Sequence, residues 1–391
     1  MLFQIKLIKM GKFKLCLGLL LMFIVAGLKA QDSQFSEISD WKNLLGQAKK
    51  EKKMIFIDAY FVGCHPCKQM EEEVFILPHV RQQMKDNFVS VKIDFLKEEL
   101  GKQLQIKYAV TGFPTYLLLN SDGYLVAMAA GYQEADRFQN LLADAVAKSK
   151  KGMLLGGFSP SIDVAHPDFY KAYFSAEHKA ITAEKLIPYL KGKDLFAEVN
   201  AVPFLMGRPL NDELSGYLLK NYKKFETLYG KALVWKRVME TLGGRLGKEI
   251  PGTRNDAKFE SFLADTKPMF AKEDWPYARL DLAEAYYMTQ LKDRKAFFNF
   301  AVKYYNDEDN KIRYMGSKVA LPGTELEDRQ LFANWIKQVV NENSGYEVLV
   351  VAARTMKELN DTAQARQYAD WGVKKAQLIN KSSKYFESIL N

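Results

Sequence analysis

Residues 34–50 place Phe35, Ile38, Trp41, Leu44, Leu45 and Ala48 at helical spacing, which predicts an amphipathic helix. Met54-Ile55-Phe56-Ile57 follows as a short, wholly apolar run, the pattern of a strand buried on both faces. Helix-forming residues occupy Gln69–Glu73, and a second strand is predicted at Phe88–Ile93, where Val89, Val91 and Ile93 alternate with other residues. A charged helical stretch, Glu98–Tyr108, leads to a third strand at Tyr116–Leu119. Asn120-Ser121-Asp122-Gly123 reads as a hairpin turn into a fourth strand, Tyr124–Ala129. Gly131 and a helix over Ala135–Ala147 close the unit. The order βαβαββα within residues 31–147 predicts a compact α/β module.

The texture changes at Lys148–Pro160, where Lys-rich and Gly/Ser/Pro-rich pieces predict a linker over 148–162. Beyond it, residues 163–391 carry helical patterning almost throughout and predict an all-α domain. Ala285, Met288, Leu291, Asp293 and Ala301 recur 68 positions later as Ala353, Met356, Leu359, Asp361 and Ala369. That offset is twice the ~34-residue period of tetratricopeptide helix pairs, which stack to bury a shared core. The stretch around Met315–Tyr346 does not follow the pattern, so a helical domain with a coincidental match stays open beside a repeat-like one.

The 391 residues carry 56 Lys+Arg against 47 Asp+Glu, a formal charge of +9, and 48% are apolar. This composition excludes a mainly disordered or collagen-like chain. Lys6, Lys9, Lys12, Lys14 and Lys29 stand in the first thirty residues without an acidic one, which leaves +4 for the rest. Nucleic-acid binding is not expected from so small a surplus. The lysines precede an apolar run, Leu15–Gly27, that ends in Leu28-Lys29-Ala30 and polar Gln31-Asp32-Ser33. This is the layout of a secretory signal over 1–30, with cleavage expected after Ala30; Met10–Ala30 alone has the same layout. The run is short of the ~20 residues that span a bilayer. Cys16 follows Leu15, where a lipoprotein signal has a small residue, so no lipid anchor is expected.

Of the three cysteines, Cys64 and Cys67 remain once the signal is set aside, and both belong to one C-x-x-C. Zinc would need two further ligands, and His65, His79, His166 and His178 form no recognisable set. An exported chain whose only cysteines form such a pair points to redox chemistry rather than scaffolding. Cys64 follows the buried strand and opens a helix, whose free N–H groups and dipole favour its thiolate. Pro66 suits the first helical turn. Cys67, one turn further in, is the shielded thiol that would close the disulfide and expel a partner. A protonated His65 would support the thiolate, and Lys68 could do the same, although a solvated helix face is the better account of Lys68. Asp58 ends the first apolar strand six positions before Cys64. A buried carboxylate there would have a raised pKa and exchange a proton with Cys67; capping the following turn is the alternative.

Taken together these residues resemble the thioredoxin superfamily over Met54–Ala147. Asp58, Cys64-His65-Pro66-Cys67-Lys68, Gly112-Phe113-Pro114-Thr115 and Gly131 line up in the family's order. The resemblance implies a thioredoxin-like N-terminal domain in which Pro114 is cis and faces the cysteines. It implies a substrate-binding role for Phe113, whose backbone would meet an extended segment, and for His65, Pro66 and Tyr60 around the cysteines. Cys67-Lys68-Gln69-Met70-Glu71 with Val74-Phe75 is similar to the C-terminal domain of transmembrane thiol:disulfide interchange proteins. The chain departs from the family where Gly63 replaces the usual tryptophan and where His65-Pro66 separates the cysteines. The lysine that accompanies the family's buried acid has no clear counterpart; Ser90 falls near its place.

What the resemblance implies is an exported, periplasmic reductase or isomerase of protein disulfides, with Cys64, Cys67, Asp58 and Pro114 as its catalytic residues. The expected partners are exported thiol or disulfide proteins and a membrane electron donor or acceptor, and the Cys64–Cys67 disulfide is the only redox group. Two other readings stay open: a partner-binding helical scaffold with the α/β module as a redox latch, and a dimeric isomerase associating through its helices. Trp235, Trp275, Trp335 and Trp371 suit core packing or a peptide groove. No phosphate loop, HExxH or serine elbow is present.

Overall fold

The computed structural model of the protein describes residues 35–37, 40–304, 312, 313, 315, 316, 319, 324–379 and 381–391. The expected signal, with Met10, Cys16 and Ala30, lies outside the described residues, as does Ile38. No helix among them is long and apolar enough to cross a membrane.

The first helix is shorter than its apolar spacing predicts. Asp40 caps Trp41–Glu51 (α1), its carboxylate accepting from the Asn43 N–H at 2.8 Å. The residues before it run alongside the sheet instead: the Ser36 N–H donates to the Ser90 carbonyl at 2.8 Å, and the Phe35 ring meets Phe75. Met54–Tyr60 (β1) then enters the sheet. The stretch between the first two strands forms two helices, His65–Glu73 (α2) and Pro78–Asn87 (α3), because Pro78 lacks an N–H and opens a new helix. Phe88–Asp94 (β2), Glu99–Tyr108 (α4), Thr115–Leu119 (β3), Leu125–Ala130 (β4) and Ala135–Lys150 (α5) complete the module.

The sheet order is β2-β1-β3-β4, with β1 parallel to β2 and the other pairs antiparallel. β1 is central and covered on both faces, as its unbroken apolar run requires. Phe56 packs with Met70, Val74, Val80 and Phe138 under α2, α3 and α5. Ile55, Ile57 and Ala59 face the opposite side with Leu44 of α1 and Leu104 of α4. Asn120 organises the β3–β4 turn by accepting from the Asp122 and Tyr124 N–H groups. Gly123 has φ +87°, and a Cβ there would press on Leu45 and Trp41 at 3.1 and 3.2 Å.

Beyond the module the described residues are mainly helical. Asp168–Lys171 (α6), Ala183–Leu190 (α7), Glu198–Met206 (α8), Asp212–Tyr229 (α9), Lys231–Glu249 (α10) and Asp256–Thr266 (α11) come first. Trp275–Ala283 (α12) continues as a π-helical stretch, Glu284–Gln290, before Arg294–Tyr304 (α13). Leu326–Val339 (α14), Tyr346–Glu358 (α15), Thr362–Leu378 (α16) and Lys384–Leu390 (α17) end it. In sequence order α9 packs on α10, α13 on α14 and α15 on α16.

The 68-residue correspondence has a structural meaning. Lys292 and Asn360 both adopt left-handed backbone, φ 57° and 58°, directly after Leu291 and Leu359. Asp293 and Asp361 then cap the next helix, accepting from the N–H of Ala296 and Gln364. The same helix–turn–helix corner is therefore built twice. Trp335 is fully buried, and Trp235, Trp275 and Trp371 pack against the core.

The stretch expected as a linker begins as the last turn of α5 and is then tied down. The Leu155 N–H donates to Leu125 of β4, and the Gly157 N–H to Leu228 of α9. Phe158 is buried between the rings of Tyr108 and Tyr229. One continuous hydrophobic core runs from the α1/α4 face of the sheet into the helices.

Candidate active site

Cys64 is the N-cap of α2, and its sulfur accepts the Cys67 N–H at 3.3 Å. The two cysteines are joined by a disulfide. Gly63 enters this turn with φ +96°, a conformation that disfavours a side chain. Cys64 is 6% and Cys67 2% exposed, while Val62, Gly63 and His65 around them stand in solvent. Pro66 is half-buried in the first turn. On reduction, the helix N-terminus and the Cys67 N–H favour a thiolate at Cys64. Lys68 is exposed and pairs with Glu72 along the helix surface at 3.5 Å.

Asp58 is 1% exposed on β1, on the face covered by α2, and neither carboxylate oxygen has a hydrogen-bond partner among the described residues. Burial pushes its carboxyl up to about 7; the charge of Lys92 opposes the rise, and Glu71 adds to it. Lys92 supplies the cation near Asp58. It stands opposite Asp58 in the β1–β2 register, two residues beyond Ser90, and pairs with Glu71, one turn past Cys67. Tyr60 carries the Lys92 ammonium 4.1 Å from its ring centroid.

Asp58 makes stability depend on pH. From the ordinary carboxylate range up to pH 7 the folded protein holds a proton at Asp58 that the unfolded chain has lost. Stability from this group is therefore greatest in acid and falls as pH rises, until both states are ionised above about 7. The loss amounts to at most about 4 kcal/mol at ~1.36 kcal/mol per pH unit. Asp58→Asn abolishes the titration. Its stability relative to the parent should grow by about 2–4 kcal/mol between pH 4.5 and 8, as read from urea unfolding. A constant difference across that range would contradict a proton held at Asp58.

Pro114 is buried, and the Phe113–Pro114 bond is cis. The Gly131 N–H donates to the Pro114 carbonyl at 2.8 Å, and the Thr115 hydroxyl to the Gly112 carbonyl at 2.7 Å. Half-buried Phe113 meets Phe61, whose carbonyl accepts the Cys64 N–H, so the two loops touch through their rings. Asp94 is a further loop-positioning residue that the sequence pattern alone does not single out. Buried at the end of β2, it accepts from the N–H groups of Val62, Leu96 and Lys97. Gly101 lets α4 close on this strand end, where a Cβ would lie 2.6 Å from the Asp94 carbonyl oxygen. A polar residue ending an apolar strand was the available signal, the same one that drew attention to Asp58.

The far end of α2 is held by the C-terminal helices. Lys381 lies 2.5 Å from buried Glu73 and 2.8 Å from Glu347, Gln69 donates to Glu347, and the Tyr132 hydroxyl donates to Glu73. Among the described residues no three His, Cys, Asp or Glu side chains are grouped to hold a metal ion.

A family model described as a thioredoxin-like domain matches residues 41–146. The thiol:disulfide interchange protein DsbD of Photorhabdus laumondii is 29% identical over 111 residues, which are 28% of this chain. That match covers 19% of the length of the relative. The solution structure of a thioredoxin from Thermus thermophilus is 23% identical and is covered over 85% of its chain and 28% of this one, with a TM-score of 0.26. The βαβαββα order predicted from the pattern, the C-x-x-C capping a helix and the family match converge: residues 41–146 are a thioredoxin-like domain, followed by a helical C-terminal region.

Proposed function

We propose that this protein is an exported thiol:disulfide oxidoreductase that reduces or isomerises protein disulfides through Cys64 and Cys67. The observation that carries this reading is the joint presence of a helix-capping Cys64, a disulfide to Cys67, and a buried Asp58, without a hydrogen-bond partner among the described residues, on the sheet face that this helix covers. In the reduced protein the Cys64 thiolate attacks one sulfur of a substrate disulfide, forming a mixed disulfide and releasing the other sulfur as a thiolate that takes a proton. Cys67 gives its proton to Asp58 and attacks the Cys64 sulfur. The mixed disulfide breaks, the second substrate sulfur leaves as a thiolate that takes a proton, and the Cys64–Cys67 disulfide has taken up the oxidation. A dithiol donor, supplied from the membrane, resets the pair by the same exchange. Phe113 and Pro114 present backbone to an extended substrate segment, with His65, Pro66 and Tyr60 around the reacting sulfur. The residues 1–30 are the export signal in this reading.

One observation favours a second reading. The Lys381–Glu73–Glu347 cluster ties α2 to the C-terminal helices, as a redox latch on a helical scaffold would require. Equilibrating residues 31–391 in graded glutathione buffers, with alkylation and mass readout, separates the two when paired with turnover of a protein disulfide. Family potentials run from about −270 mV for thioredoxin to about −120 mV for the strongest oxidant. His65 beside the thiolate and Pro66 at the second position lead us to expect a value between them, with turnover. A pair that cycles without turning over substrate favours the latch, and one that does not cycle removes the enzyme reading.

A further inference from the structure

The cis-proline loop borders a cavity of about 370 Å³ that lies between the thioredoxin-like domain and the helices. Thr111, Gly112 and Thr115 form one wall, together with Ala130, the neighbour of the Gly131 that bonds Pro114. Its floor is apolar, with Val110, Met128 and Leu205. The wall supplied by the helical region is charged.

Arg208, Lys236 and Arg237 line that wall against a single acid, Glu240. Arg237 is 4% exposed and held in place, donating to the carbonyls of Leu205 and Gly207, with Glu240 3.5 Å away. Burial lowers its pKa only to about 10, so it stays cationic at neutral pH. Glu240 also pairs with Arg208. One carboxylate is thus shared by two guanidinium groups, and exposed Lys236 has no acidic partner among the described residues. The lining carries two uncompensated positive charges over an apolar floor. Gly112, next to the Phe113 backbone, and Ala130, next to Gly131, are both exposed and line this cavity, so it adjoins the strip of backbone along which an extended segment would lie.

Building on the oxidoreductase reading, we infer that this cavity is a substrate subsite for the residues flanking the reacting cysteine of a partner protein. It selects segments that combine acidic and apolar side chains. The volume lies within the ~300–1,000 Å³ of ordinary ligand sites. The charge surplus provides complementarity, which acts mainly on encounter and choice of partner.

The test uses the reduced full chain and cysteine peptides carried as mixed disulfides with the chromogenic thiolate 5-thio-2-nitrobenzoate. Glu-Leu-Glu or Lys-Leu-Lys flanks are placed before or after the cysteine. Each rate is divided by that for hydroxyethyl disulfide, which is too small to reach the cavity. An acidic flank on one side should react about fivefold faster than the basic one, the upper range of a surface ion pair. Lys236→Glu should erase or invert that preference, and added salt should compress it. Equal normalised rates for the two flanks, or an unchanged preference in Lys236→Glu, would overturn the subsite while leaving the exchange chemistry standing. If no disulfide reacts, hydroxyethyl disulfide included, the oxidoreductase reading falls and takes this one with it.

Discussion

Cys64→Ser is expected to lower thiol–disulfide exchange to the background rate, and Cys67→Ser to leave a stable mixed disulfide on Cys64. The asymmetry comes from position. Cys64 caps α2, where the Cys67 N–H reaches its sulfur and the neighbouring residues are exposed. Cys67 sits inside the first turn and is the less exposed of the two. A serine hydroxyl at position 64 stays protonated at neutral pH and cannot carry the covalent intermediate. A serine at position 67 removes the group that resolves it. Mass spectrometry after incubation with a disulfide substrate should show the Cys67→Ser protein heavier by one substrate thiol, an adduct that dithiothreitol removes. Full turnover in Cys64→Ser would overturn the assignment, and an adduct on Cys67 in that variant would reverse the two roles.

Lys107→Met should destabilise the protein by about 3–5 kcal/mol, the usual cost of leaving one half of a buried ion pair. The Lys107 side chain on α4 is fully buried, with its ammonium 2.6 Å from Glu198, the first residue of α8. Burial lowers the lysine pKa, and the bond and charge of Glu198 raise it again, so the pair holds its charge only as a pair. Glu198 also accepts the Ser159 N–H at 2.8 Å, which fixes the chain between the two regions. Methionine keeps the packing volume and removes the cation, leaving the largely buried Glu198 carboxylate without its counter-charge. Replacing both partners, as in Lys107→Met with Glu198→Leu, should recover most of the loss, short of the Ser159 hydrogen bond. Urea unfolding of the two variants checks this. A loss below about 1 kcal/mol in Lys107→Met would mean that water reaches the carboxylate and that the pair behaves as a surface one.

The cysteine pair, the apolar β1, the β3–β4 turn and the glycine–proline loop were legible because each is set by neighbours in the chain. A helix cap, a turn and a strand buried on both faces are encoded within a few residues. Lys92 was not legible as the neighbour of Asp58, since alignment by family position points to Ser90. Only the parallel register sets Asp58 opposite Lys92, and a shift by two residues keeps the face while changing the partner. Asp94 reaches the Val62 N–H across 32 positions, and Lys381 reaches Glu73 across the whole helical region. No local pattern encodes such pairs.

By itself the sequence determined the α/β module, its order of elements, the helical character of the remainder and the cysteine pair. These depend on hydrophobic periodicity, capping and turn chemistry, which act over a few residues. The tertiary structure decided what surrounds the thiols: the charge facing Asp58, the clasp on α2, and a cationic cavity beside the cis-proline loop. Each of those joins groups far apart in the chain, and their free energies depend on burial and distance, which exist only once the domains have packed.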